Sequence, residues 1–353
     1  MSLPPHTLPN CRTTELASCA GSGSRTGRGL RVVCFGGGTG LSNLLRGLKA
    51  HLSGKIEQLT AVVAVTDDGG SSGRLRGDFH GVAPGDIRNC LVALAEDEAL
   101  LSRMFQYRFT QGAGLEGHSF GNLFLTVLAA LTEDFVEAVR LSSELLGTRG
   151  RILPASAVPA QLGAELHDGT FVVGESAITR GRGGIRRVFL LPRDTPAVPE
   201  TLAAIAEADM ITIGPGSLFT SLAPNLLVPG IAAALASSPA RKVFICNLMT
   251  QANETLGMTA SDHLQALEDH AGCAIFDAAL VNCSPFPAAL LQRYAQQEAE
   301  PVSNDMKRHA RGGIHIVQGE YLSPGSVARH DAEAVARDLM RFVAEFMTAA
   351  LAA

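Results

Sequence analysis

Along the chain, short apolar runs alternate with polar, glycine-rich loops, and most loops lead into apolar residues at helical spacing. The first run covers residues 31–35 and ends in Gly36-Gly37-Gly38-Thr39-Gly40; Leu41, Leu44, Leu45 and Leu48 follow. Apolar residues recurring every three or four positions put one helix face against a core, so this segment predicts strand, loop and helix. The second run, 59–65, opens into Thr66-Asp67-Asp68-Gly69-Gly70-Ser71-Ser72-Gly73-Arg74. Runs at 209–213 and 242–246 open into Gly214-Pro215-Gly216-Ser217 and Asn247-Leu248-Met249-Thr250-Gln251. Continuously apolar strands separated by helices belong to a parallel sheet covered on both faces. The fold class is therefore α/β, with a Rossmann-like parallel sheet as its core.

Four helical patterns at 87–95, 98–109, 120–131 and 135–146 predict an inserted helical segment. A β-hairpin-rich part follows. Its strands at 161–167 and 170–178 flank Asp168-Gly169, a dipeptide suited to a hairpin turn, and 187–191 adds a further strand. The α/β alternation then resumes. It predicts helices at 198–207 and 231–236, a helix capped by Ser261 or Asp262 that runs to about 271, strands at 279–282 and 314–317, and an amphipathic closing helix over 331–347. Residues 1–28 are rich in Ser, Thr, Gly and Pro and read as a disordered extension. Residues 29–353 read as a single α/β domain. Ligands of open parallel sheets sit beyond the carboxyl ends of the strands, so the four loops are expected to converge on one crevice.

Composition narrows the function classes. The 353 residues are 46% hydrophobic and 18% charged, with a net charge of −5. That supports a large core and lacks the basic excess of a nucleic-acid-binding domain. There is no Trp and there are three Tyr, too few rings for single-stranded nucleic acid. No apolar run approaches the roughly 18 residues of a membrane span, and the N-terminal segment lacks the apolar core of a signal peptide. The expectation is a cytoplasmic protein with no integral membrane association. Seven Cys without a C-x-x-C pair read as small buried hydrophobes in a reducing compartment.

Five stretches carry candidate chemistry. The backbone of Gly36, Gly37, Gly38, Thr39 and Gly40, with the helix N-terminus behind it, can hold a phosphate or simply turn the chain tightly. It is neither a Walker A motif nor a clean dinucleotide fingerprint, since Leu41 stands where a third Gly belongs; that argues against NAD. Asp67 and Asp68 at a strand tip can hold a hydrated divalent cation, most naturally Mg²⁺, or accept a sugar hydroxyl. Arg74 and Arg76 could contact phosphate. In Pro84-Gly85-Asp86-Ile87-Arg88-Asn89, Asp86 reads as a helix N-cap, while Arg88 opposes the helix dipole unless an anion or Asp67 or Asp68 relieves it. Arg88 and Asn89 are therefore site candidates. His118 can move a proton, bind phosphate or serve as a buried hydrogen-bonded residue; Ser119 can cap a helix, and Asn122 one turn on needs a polar partner. Gly214 and Gly216 allow close backbone approach, Ser217 can cap a helix, and Asn247, Thr250 and Gln251 offer groups suited to a base or sugar. Arg329, ahead of the closing helix, reads either as phosphate-seeking or as an exposed arginine. The apolar helices at 91–95 and 120–131 suit either the core or a dimer face.

Taken in order, GGGTGLS, DDGGSSGRLR, PGDIRN, GHSFGN, GES, IGPGSLFTS with PNLLVPGI, CNLMTQ with ET, and TASDHLQA resemble the gluconeogenesis factors of the YvcK type. These form one superfamily with 2-phospho-L-lactate transferase (CofD). The resemblance runs from about residue 31 to the last helix. It implies a cytoplasmic bacterial regulator that binds UDP-sugars, notably UDP-N-acetylglucosamine, and is needed for cell shape and for growth on gluconeogenic carbon. The alternative it implies is a Mg²⁺-dependent transferase using a nucleotide-diphosphate-linked donor. Carried onto this chain, Gly36 to Gly40, Asp67, Asp68, Asp86, Arg88 and Asn89 become nucleotide and metal candidates, and Arg329 a UDP-sugar candidate. A homodimer is the expected assembly. The family's ADDGGSSG reads TDDGGSSG here, and residues 282–290 depart from the polar segment expected there. No deazaflavin pocket is visible, which favours the regulatory branch.

Overall fold

The computed structural model describes residues 28–352 apart from 80, 97–99, 182 and 307–312, with the side chains of 347–352 also left aside. Apart from Arg28, the expected N-terminal extension lies outside the described residues. The strands are β1 (Leu30–Gly36), β2 (Ile56–Val63), β3 (Arg151–Pro154), β4 (Gln161–Leu166), β5 (Phe171–Val173), β6 (Ile185–Leu191), β7 (Met210–Ile213), β8 (Arg241–Ile245), β9 (Ala278–Asn282) and β10 (His315–Gly319). Seven of them form one parallel sheet in the order β3-β2-β1-β7-β8-β9-β10, and β5-β4-β6 form a small antiparallel sheet. The strand order reverses between β1 and β7, so their carboxyl ends open a crevice.

The sheet is apolar on both faces because each strand feeds two cores. In β1, Val32 and Cys34 enter one core, and Val33 and Phe35 the other. Helices α1 (Gly38–Lys49), α3 (Gly85–Leu94) and the closing helix Ala332–Ala352 cover the first face. Between α1 and the helical insertion's end lie α2 (Gly70–Phe79), α4 (Leu100–Gln106), α5 (Phe120–Thr132) and α6 (Phe135–Leu145). The small sheet covers the second face with α8 (Pro199–Glu207), α9 (Ala223–Leu227), α10 (Ile231–Ser237) and α11 (Ala260–Ala271). Each large apolar side chain buried this way contributes about 1.5–3 kcal/mol. Helix α5 has no charged residue yet buries only Gly121, Asn122 and Leu125. Among the described residues, no single helix is long and apolar enough to cross a membrane.

Several local expectations change. Residues 70–73 begin a helix, α2, rather than continuing a loop. Gly and Ser are weak helix formers, and tertiary bonds from Ser71 to His118 and from Asn122 to Ser72 hold the turn. The second hairpin strand stops at Val173, because Gly174 sits at φ +100° and starts α7 (Glu175–Arg180). Helix α11 is capped by Thr259 in a capping box with Asp262, one turn before the expected caps finish their work. Asp86 lies inside the first turn of α3, behind Pro84, and makes no capping bond. Strand β3, the π-turn Leu218–Leu222 and α12 (Ala288–Ala295) were not expected from periodicity. Cys34, Cys90 and Cys246 are buried as expected, whereas Cys273 is half-buried and Cys283 exposed; Cys11 and Cys19 lie outside the described residues.

Candidate functional site

The loops at the carboxyl ends of the strands border two cavities. The larger, about 620 Å³, is bordered by Thr39 and Gly40, by Gly216 and Ser217 after β7, by Asn247 and Thr250 after β8, and by Arg329. The smaller, about 240 Å³, is bordered by Asp67, Asp86, Arg88, Asn89 and Asn122. The glycine loop itself is built for close approach. A Cβ on Gly37 would lie 2.6 Å from Asp86 Oδ2, and one on Gly40 would lie 2.4 Å from the Pro215 carbonyl oxygen. Gly38 adopts φ +60°, which glycine tolerates without strain.

Asp86 is the centre of the smaller cavity. Its carboxylate accepts the Gly38 N–H, so it occupies the N-terminal end of α1 where an anion is favoured. Burial, and then the neighbouring Asp67 charge, push its pKa up to about 7, against the Gly38 bond and Arg88. Asp67 accepts the Gly69 N–H at 2.8 Å. Asp68 turns away and accepts the Ser176 N–H at 2.8 Å, at the start of α7. Among the described residues no cluster of three or more His, Cys, Asp or Glu side chains forms a metal cage. Two carboxylates on a shared cavity fit Mg²⁺ carried in on a phosphate, because Mg²⁺ binds through one or two carboxylates plus substrate oxygens. Asp67 and Asp86 would hold it, and it would neutralise phosphate charge; Asp68 faces elsewhere.

Arg88 resolves its dipole conflict with neutral partners. Its guanidinium donates to Ser119 Oγ (2.6 Å), Asn122 Oδ1 (3.1 Å) and Asn89 Oδ1 (2.8 Å), while its Nε is buried without a partner. Burial and then Arg108 lower its pKa, with Asp86 and Asp67 opposing. Ser119 caps α5 as expected. His118 is buried outside both cavities, with Nδ1 3.0 Å from Ser71 Oγ, and burial followed by Arg74 lowers its pKa. Neutral His118 thus ties α2 to α5. Gly36 and Gly214 act as spacers: the Gly36 carbonyl accepts Asn225 Nδ2, and a Cβ on Gly214 would meet the Ile245 carbonyl oxygen at 2.6 Å.

Several groups expected to face a base or sugar instead brace the larger cavity's wall. Asn247 clamps Gly216 from both sides, accepting its N–H at 3.1 Å and donating to its carbonyl at 2.8 Å. Ser217 Oγ makes no cap bond and accepts Gln251 Nε2 at 2.9 Å. Thr250 Oγ1 accepts the Glu300 N–H at 2.9 Å. Arg329, by contrast, is exposed at the rim, and among the described residues its guanidinium has no hydrogen-bond or ion-pair partner. Its segment is held from three directions: Asn43 donates to the His330 carbonyl, His330 Nε2 meets the Cys246 carbonyl at 3.1 Å, and Tyr294 Oη accepts the Ala328 N–H. Burial drives the His330 pKa down to about 4, so that clamp is uncharged at neutral pH.

Two acids behind the crevice escaped sequence reasoning. Burial, with Asp67 and Asp86 adding, raises Glu175 to about 9; burial raises Glu254 to about 7. Glu254 Oε2 is buried without a partner. The GES and ET dipeptide neighbourhoods were visible in the motif order, but nothing in their spacing indicated burial. Arg76 also turns inward, donating to the carbonyls of Ala160 (2.6 Å) and Thr66 (3.2 Å) rather than awaiting phosphate.

Comparison with known proteins places the chain in a family. Residues 32–322 match the family model described as 2-phospho-L-lactate transferase CofD. The gluconeogenesis factor of Halalkalibacterium halodurans is 50% identical over 88% of this chain and 95% of its own length. That of Bacillus subtilis is 46% identical over 89% and 98%. A crystal structure of a Bacillus halodurans protein superposes with a TM-score of 0.85 at 49% identity, covering 89% of this chain and all of that one. With a parallel sheet in Rossmann order, a glycine loop at its switch point and these relatives, the chain belongs to the CofD family, alongside proteins named gluconeogenesis factor.

Proposed function

We propose that the larger cavity binds a UDP-sugar, UDP-N-acetylglucosamine above all, and that the protein is a cytoplasmic regulator coupling gluconeogenic carbon supply to cell shape. The observation that carries this reading is the uncommitted guanidinium of Arg329 at the rim of a cavity whose inner edge is the N-terminal end of α1. A diphosphate between them would meet a cation on one side and helix N–H groups on the other. The cavity volume suits a ligand of nucleotide-sugar size. The relatives' name supports the gluconeogenic setting.

A second reading, a Mg²⁺-dependent transferase, draws on Asp67 and Asp86 facing one cavity. Calorimetric titration of UDP-N-acetylglucosamine, UDP-glucose and GDP with and without Mg²⁺, followed by mass spectrometry of the mixtures, separates the two. Binding without turnover supports the regulator; a released nucleotide product supports the transferase. Arg329→Ala is expected to weaken UDP-N-acetylglucosamine at least tenfold, the order of a charge-assisted bond, with no change in Tm. Wild-type affinity in both Arg329→Ala and Asp67→Ala would overturn the site. The exposed apolar face of α5 further supports a homodimer as the working assembly.

A further inference from the structure

We propose that the outer edge of β5 is a self-association surface, on which a second copy of this chain lays its own β5 antiparallel, so that two small sheets become one. The free edge of a sheet invites another strand, and folded proteins guard it. Two edges here are guarded. At β3, Pro154 has no N–H to offer, and its carbonyl accepts Thr201 Oγ1 at 3.1 Å. At β6, the outward Val188 N–H donates to His270 Nε2 at 3.0 Å. Strand β5 lies at the other end of the small sheet, and among the described residues no strand or hydrogen bond reaches its outer side. Pairing with β4 fixes which groups point there. The Leu166 N–H donates to the Thr170 carbonyl, and the Gly174 N–H to the Leu162 carbonyl. Hydrogen-bonded pairs alternate along antiparallel strands, so Val172 bonds to its register partner Ala164. The N–H and C=O of Phe171 and Val173 therefore point outward.

The same two residues carry exposed apolar side chains. Phe171 is 63% exposed and Val173 48%, whereas Val172 packs on the second core. In the middle strand Phe189 lies across Gly163, where a Cβ would come within 2.4 Å of its ring, and it meets Phe171 edge-on with centroids 6.2 Å apart. Glu165, opposite Phe171 in the register, is paired with Arg186 and Arg187, so no unpaired carboxylate interrupts the strip. A two-fold axis through Val172 makes this edge complementary to itself. Phe171 then stands opposite the partner's Val173, and Val173 opposite the partner's Phe171. Each couple exchanges both N–H···O bonds and sets an aromatic ring beside a β-branched side chain, a combination that stabilises sheets. Three residues bury far less than the roughly 1,200–2,000 Å² of a permanent interface. The contact should therefore form at high micromolar concentration and, together with the α5 face, link pairs into larger assemblies.

Light scattering from low to high micromolar concentration tests this in the Leu131→Glu background, where the α5 face is silenced. The apparent mass should climb from monomer toward twice that value. Adding Phe171→Lys and Val173→Lys sets like charges opposite one another and should hold the mass at monomer. Adding Phe171→Lys and Val173→Glu instead sets a lysine opposite a glutamate in both couples and should restore the climb. All three proteins should share one Tm. Val172→Cys gives a second measurement that needs only one change. Across the axis the two Cα atoms would lie about 4.5 Å apart, the spacing of a non-hydrogen-bonded antiparallel pair, which a disulfide can span. Air oxidation should give a covalent dimer that peptide mapping assigns to position 172. A concentration-independent monomer in the Leu131→Glu background overturns the proposal. So does a climb that the double-lysine protein retains, which would place the contact on another surface. Equal loss in both charged proteins, or no cross-link at position 172, overturns the antiparallel register.

Discussion

Replacing Asp86 with asparagine should make the protein more stable at pH 8 and leave it nearly unchanged below pH 4. The folded chain holds the Asp86 carboxyl near 7, against an ordinary value of 3.8. Between those values the folded state binds more protons than the unfolded one, so this group's contribution falls as pH rises through that window. At about 1.4 kcal/mol per pH unit, the ceiling is about 4 kcal/mol. Asp86 is partly wetted by the smaller cavity, and solvent screening trims this to about 1–2 kcal/mol. Asparagine keeps an acceptor for the Gly38 N–H and removes the charge that faces Asp67. Thermal melts of both proteins at pH 4, 5 and 8 provide the assay. The variant should gain about 2–5 °C at pH 8 and about a third of that at pH 5. Identical melting at pH 8, or one constant offset at all three pH values, would refute the placement of Asp86 against α1. Because the same charge repels a phosphate, affinity for UDP-N-acetylglucosamine without Mg²⁺ should also fall as pH passes 7, and Asp86→Asn should flatten that slope.

Other expectations follow from close contacts. Gly40→Ala drives a methyl group to within 2.4 Å of the Pro215 carbonyl oxygen and should cost about 1–3 kcal/mol in urea denaturation, since backbone gives way less readily than a side chain. Tyr321→Phe removes the donor to buried Asp338 and should cost about 1–2 kcal/mol by the same measurement; a neutral result would show that the ion pairs of Asp338 with Arg341 (3.1 Å) and Arg337 (3.6 Å) satisfy the carboxylate without it. Leu131 and Val127 on α5 are 75% and 57% exposed. Leu131→Glu should halve the mass seen by light scattering without lowering Tm, and a wild-type monomer would remove the dimer.

The architecture was legible because strand and helix signals here are periodic and long. The runs ending at Phe35, Val65, Ile213 and Cys246 gave the central strands, and the rule that ligands gather at carboxyl ends brought the four loops together. Short elements escaped: β3 has four residues, α9 has five, and α2 starts on Gly-Ser-Ser-Gly. Their stability comes from partners distant in sequence, which no local pattern records. The site was legible as a set of loops but not as a set of directions. Asp67 and Asp68 are neighbours in sequence, yet one faces a cavity and the other a helix start across the crevice. Asn247 and Thr250 looked ligand-facing from their chemistry, whereas their partners, Gly216 and Glu300, are 31 and 50 residues away.

The bond from Asn43 to the His330 carbonyl spans 287 residues, and the next turn of α1 presses Gly47 against Ala332. A chain emerging from the ribosome therefore carries its glycine loop long before it has an arginine to set opposite. Until the last segment docks, no complete anion seat exists, and a nucleotide can lend nothing to a partly made molecule. Ligand stabilisation then acts on finished copies alone, so in a growing cell the abundance of ligand and the survival of newly completed protein would rise and fall together.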